Sequence, residues 1–216
     1  MSERRPRVQL LPAVADRRRA LADLLDTLAG HEWAAPSLCR EWTAHDVLAH
    51  LALSTRQSTA RVFWRVLRAR GDFERADAAL AREHAARFSP SELLAQLRAT
   101  ADLDRRLGLS SAWDPLVDVL VHSQDIARPL GRELPTPPEL AVPALRHVWS
   151  NVFYGHPDRR LRGLRLVATD IDWTAGRGTE VRGRAGDLLL LATGRPVAAT
   201  GVTGPGVGEA AARTGS

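Results

Sequence analysis

His50 lies in the apolar run DVLAHLAL, flanked by Ala49 and Leu51. Asp118 and His122 lie four residues apart in DPLVDVLVHSQDI. On a helix that spacing puts both side chains on one face, and Asp125, three residues beyond His122, falls near the same stripe. Imidazole nitrogen and carboxylate oxygen hold zinc at about 2.0–2.2 Å, and three protein ligands with an open fourth position form a catalytic metal site. One rigid helix could supply two ligands and His50, on a facing helix, the third. The same spacing also describes a solvated Asp/His pair worth tenths of a kcal/mol. A lone histidine among apolar neighbours also serves as a hydrogen-bonded core residue. Spacing alone leaves these readings open.

Other reactive types have weaker contexts. Cys39 fits either a nucleophile near a helix N-terminus, where thiolates are favoured, or a small buried residue in a tight loop. Ser123 and Asp125 flank His122, but a single helix cannot orient a hydrolase triad from them. His31, His45, His84, His147 and His156 have no comparable pairing and read as surface or capping residues. The sequence has no Gly-rich phosphate loop, no G-x-S-x-G elbow, no H-E-x-x-H and no CxxC. Trp33 and Trp42 bracket a loop expected to fold over the mouth of a bundle, and Trp113 precedes the Asp118/His122 segment.

The elements that must position these residues are mostly helical. Leu21, Leu24, Leu25 and Leu28 recur at helical spacing and predict a first helix over 12–29, with Pro12 in its first turn and Gly30 as its stop. Thr43 and Asp46 form a capping-box pattern that starts a second helix, extending to about residue 70. The alanine-rich stretch 71–88 reads as a helical linker or a lid. Ser89-Pro90-Ser91-Glu92 starts a third helix, expected over 89–107, and a fourth is expected over 114–130. Four such helices predict a mainly α protein with an up-down four-helix bundle. After Pro135, Pro137 and Pro138 the pattern changes to a helix over 139–154, strands over 164–170 and 179–183, and a short buried helix over 186–195. The expected organisation is a bundle over 1–134, a small α/β C-terminal domain over 135–203 and a disordered tail over 204–216.

Composition bounds the setting. The chain has 216 residues, 44% hydrophobic and 25% charged, enough to bury a sizeable core. A single cysteine excludes an internal disulfide framework and points to a reducing, cytoplasmic setting. The N-terminal stretch lacks a signal-peptide pattern, and no apolar run reaches membrane-spanning length. All 30 basic residues are arginine, a pattern of GC-rich coding, and the net charge is only +5. Runs such as Arg17-Arg18-Arg19 carry no aromatic interleaving, so neither nucleic acid nor a membrane is an expected partner.

Three blocks carry a resemblance. WAAPSLCREWTAHDVLAHL (33–51), DVLVHSQDIARPLGREL (118–134) and GLRLVATDIDWTAGRGTEVRGRAGDLLLLATGRP (163–196) occur in the order found in the mycothiol-dependent maleylpyruvate isomerase family, one of the DinB-like metal-binding bundles, and the sequence resembles that family. The resemblance implies a four-helix bundle carrying a divalent metal, usually zinc, with His50, Asp118 and His122 as ligands. Asp118 stands where the family usually has glutamate and is one methylene shorter. The resemblance also implies mycothiol as thiol cofactor and a small electrophilic substrate. Reversible thiol addition to a cis double bond would give isomerisation, and a retained adduct would give S-transfer. Arg195 matches the arginine that ends the family's GDLLLLATGR-like block. It could bind a substrate carboxylate or complement the end of its helix. A non-catalytic metal-binding module with a stress or regulatory role is the alternative, and either is expected as a monomer or homodimer.

Overall fold

The computed structural model describes residues 4–54, 73–103 and 111–214, with side chains described from 10, 78 and 111 onward in these segments. The chain divides into two units, Met1–Leu134 and Pro135–Ser216. Helices dominate, with a small sheet confined to the second unit.

In the first unit, α1 (Arg4–Leu25) starts well before Pro12 and contains it. Pro12 therefore sits inside the helix, where it removes one backbone hydrogen bond, instead of in its first turn. Leu10, Val14, Leu21 and Leu25 form the buried face. A 3₁₀ turn (Gly30–Ala34) leads to α2 (Ala44–Ser54). The Thr43/Asp46 box forms in both directions: Asp46 N–H donates to Thr43 Oγ1 at 3.2 Å, and Thr43 N–H to Asp46 Oδ2 at 2.9 Å. The expected continuation of this helix through 55–70 lies outside the described residues.

The linker-or-lid stretch contains a helix, α3 (Phe73–Ala85), packed on α2 with Leu80 and Ala81 buried. The Ser89-Pro90-Glu92 signal starts α4 (Pro90–Ala99), with Glu92 N–H on Ser89 Oγ and Glu92 Oε2 accepting from Ser89 N–H. This helix stops at Ala99, short of the expected 107, and the segment 104–110 lies outside the described residues. The last helix of the unit is α5 (Asp114–Ala127). It is three residues shorter than expected, because Arg128 caps it and Gly131 turns the chain at φ +63°.

α1 and α2 each pack against both α4 and α5, closing a ring of four helices. Leu21 and Leu25 of α1, Leu48 and Leu51 of α2, Leu93 and Leu97 of α4 and Ile126 of α5 share one core. Each such leucine contributes about 1.5–3 kcal/mol by leaving water. A helix anchored on two neighbours in this way is rigid enough to aim a side chain.

The second unit starts with α6 (Pro138–Trp149), which packs on the short helix α8 (Ala185–Ala192). Between them lie α7 (Pro157–Arg160) and a three-stranded sheet ordered β2-β1-β3. Strand β1 (Gly163–Ala168) pairs antiparallel with β2 (Thr174–Gly176) and parallel with β3 (Gly178–Gly183). The three-residue β2 carries too little alternation to show in the sequence. Passing from one edge of β1 to the other within Gly176–Gly178 requires glycine: φ is +78° and +126°, and a Cβ on Gly178 would lie 1.9 Å from the Gly163 carbonyl oxygen.

The expected disordered tail is corrected by the structure. Residues Val207–Thr214 form α9, with Ala210 fully buried against the unit and Arg213 donating to the carbonyls of Arg160 and Arg162. The Gly- and Ala-rich composition hides this helix, because its anchors are backbone carbonyls far away in sequence. Among the described residues no helix is long and apolar enough to cross a membrane.

Candidate metal centre

The site forms where α2 faces α5 in the first unit. His50 is on the second turn of α2, while Asp118 and His122 are one turn apart on α5. Their side chains are 11%, 24% and 15% exposed, so the three are partly buried and still reached by solvent. His50 Nε2 lies 3.0 Å from Asp118 Oδ1, and His122 Nε2 lies 3.4 Å from the same oxygen. One donor atom from each residue falls within 4.8 Å of the other two. Donors about 2.1 Å from a tetrahedral cation are separated by about 3.4 Å, so this set fits a divalent ion with little movement.

Electrostatics agree with the geometry. Burial pushes the Asp118 carboxyl up. The attraction and hydrogen bond of His50, with His122 and Arg18 adding to them, more than reverse this and bring it down to about 2. The carboxylate is thus held ionised, the form a metal ligand needs.

A second group lies behind His122. Its Nδ1 is 2.8 Å from Oδ2 of Asp125, whose side chain is 0% exposed. Cys39 Sγ donates to the same oxygen at 3.1 Å. The loop that brings Cys39 here is pinned by Leu38 N–H on the Asp125 carbonyl at 3.0 Å, by Ser37 N–H on the Trp42 carbonyl at 2.8 Å and by a bridge between Pro36 and Thr43. Trp42 ends that loop and covers the site. Its ring stacks on His122 at 6.2 Å and 20° and lies 5.4 Å from His50.

The three residues expected as ligands therefore come together. Asp125 and Trp42 are the site residues that sequence reasoning noticed without giving them a role. The signal for Asp125 was its i+3 position from His122. Ser123 turns its hydroxyl to the Val119 carbonyl of its own helix, away from any triad. Elsewhere His45 bonds the Phe88 carbonyl and His84 bonds Gln96. Arg195 belongs to the second unit. Gly194 N–H bonds Leu191 and Arg195 N–H bonds Leu190, closing α8 in a Schellman motif, and the guanidinium donates to the Thr193 carbonyl at 3.0 Å. The contact seen is the helix-end one.

A four-helix bundle with a two-histidine, one-carboxylate cluster, followed by a small α/β unit, defines a class of helical-bundle proteins with a candidate metal site. Residues 14–108 match the family model of the mycothiol maleylpyruvate isomerase N-terminal domain. The match includes His50 but ends before Asp118 and His122. No curated protein matches the sequence. Two solved structures share the fold. A mycothiol-dependent maleylpyruvate isomerase is 16% identical with a TM-score of 0.60, covering 93% of each chain. A histidine-to-alanine mutant of a mycothiol-dependent maleylpyruvate isomerase is 14% identical with a TM-score of 0.59, covering 92% of this chain and 93% of that one.

Proposed function

We propose that the chain is a metal-dependent enzyme that uses mycothiol as a thiol cofactor on a small electrophilic substrate, as an isomerase or as an S-transferase. The observation that carries this reading is the convergence of His50, Asp118 and His122 on one point in a bundle matched by this family model. These three residues would hold the cation. A divalent cation there, zinc by family habit, supplies Lewis acidity that favours the thiolate form of a bound thiol.

The remaining work falls to the protein. His50 and His122 present Nε2 from two different helices, so the approach of α2 and α5 sets the width of the site. Trp42 shields both imidazoles from water on one side and offers an apolar wall to a substrate. Cys39 is not needed as the nucleophile, since a small thiol supplies that group and Cys39 is turned toward Asp125. The proposed role of Arg195 is to bind a substrate carboxylate, which requires it to exchange its Thr193 contact for a bidentate one.

Elemental analysis of untagged protein tests the reading, with about one divalent metal per chain expected from a three-ligand site. A His50→Ala variant should lose it. The wild type should then turn over an unsaturated acid or another electrophile when mycothiol is present, and a His122→Ala variant should be inactive. Full activity in that variant would overturn the enzyme reading. A metal-loaded protein that does not respond to thiol or electrophile would instead be a metal-binding module.

A further inference from the structure

We infer that Asp125 is the positioning residue of this centre and holds His122 in the tautomer that leaves Nε2 available to a cation. The inference rests on the metal-centre reading above. Asp118, His122 and Asp125 lie along one face of α5, so a single helix places a carboxylate at each nitrogen of the same imidazole. Oδ1 of Asp118 is 3.4 Å from Nε2, and Oδ2 of Asp125 is 2.8 Å from Nδ1. The two carboxylates differ in kind. Asp118 opens to solvent, where a ligand can enter, whereas Asp125 is completely enclosed.

Asp125 Oδ2, 2.8 Å from Nδ1, gives that nitrogen a carboxylate acceptor, and the inferred tautomer carries its proton there. A neutral imidazole with that proton directs its Nε2 lone pair toward Asp118 and His50. Enclosing a carboxylate away from water is costly unless donors converge on it. Here His122 Nδ1, at 2.8 Å, and the Cys39 sulfur, at 3.1 Å, meet at the same oxygen, and that sulfur also lies 3.6 Å from Nδ1. Anchoring the loop is not a sufficient account of the side chain, because the Asp125 backbone carbonyl already holds Leu38. A carboxylate behind a ligating histidine fixes the ring and raises its basicity, and its removal typically costs ten- to a hundredfold in metal affinity.

Two readouts test this. In metal-free protein with labelled histidine, long-range proton–nitrogen NMR should show His122 protonated on Nδ1. Asp125→Ala should lose that preference and bind zinc about ten- to a hundredfold more weakly. Asp125→Asn keeps an accepting oxygen, so it should retain the tautomer and bind zinc more tightly than the alanine variant. A proton on Nε2 in the wild type, or wild-type zinc affinity in Asp125→Ala, overturns the inference. If Asp125→Ala does not fold, the wild-type tautomer decides. If the wild type takes up no zinc, the metal-centre reading fails by itself and the same tautomer still decides the role of Asp125.

Discussion

At Asp118 two effects oppose each other. Burial favours the neutral acid and the neighbouring histidines favour the anion, and the histidines win. A carboxyl lowered from 3.8 to about 2 adds stability that is complete above 3.8 and is lost as pH falls through about 2. In metal-free protein at pH 5, Asp118→Asn should therefore cost about 2 kcal/mol. Wild type and variant should converge near pH 2, as read by chemical denaturation at each pH. A difference that persists there would assign the effect to packing. Cys39 makes a separate prediction. Its sulfur belongs to the group around Asp125 and not to the His50–Asp118–His122 set. Cobalt-loaded protein should show ligand-field bands without a thiolate charge-transfer band, and Cys39→Ser should leave the spectrum unchanged. A sulfur band lost in that variant would place Cys39 among the ligands.

Element by element, the helix starts follow local chemistry. Ser89 closes a capping box with Glu92, so Ser89→Ala should cost about 1 kcal/mol in thermal or denaturant unfolding, by freeing the first turn of α4. The β2–β3 crossing depends on backbone shape instead. A methyl group at Gly178 would collide with the Gly163 carbonyl, and the backbone there is left-handed. Gly178→Ala should destabilise the protein by about 2 kcal/mol or more. A neutral result would mean that the crossing can relax. The helix stops were less legible than the starts. The sequence predicted α4 through 107, but it ends at Ala99, where Thr100 bonds back to the Gln96 carbonyl and Arg18 caps the Ala101 carbonyl from α1. The stop is made partly by a residue about eighty positions away, which no local pattern contains.

For the whole molecule, the proposed metal binding would be linked to folding. A ligand that binds only the folded state at a hundred times its Kd adds about 2.7 kcal/mol. Added zinc should therefore raise the unfolding temperature of the wild type and not that of His50→Ala. An equal rise in both would place the metal elsewhere. Among the described residues several surface arginines pair with carboxylates, including Arg19 with Asp102, Arg98 with Asp23, Arg132 with Glu32 and Arg165 with Glu180. Such exposed pairs are worth about 0–1 kcal/mol each.

The sequence by itself determined the helical class, the capped starts of α2 and α4, and the residue types of the three candidate ligands. It could do so because apolar periodicity, capping and i, i+4 spacing are local. It also carried the family resemblance, through blocks that keep their order. Only the tertiary structure decided that His50 meets the Asp118/His122 pair, since that depends on how α2 packs on α5. The same holds for Asp125 behind His122, Trp42 over both imidazoles, the crossing of β2 and β3, and the anchoring of α9. Each of these is a contact between residues distant in the chain, formed only when buried faces choose their partners.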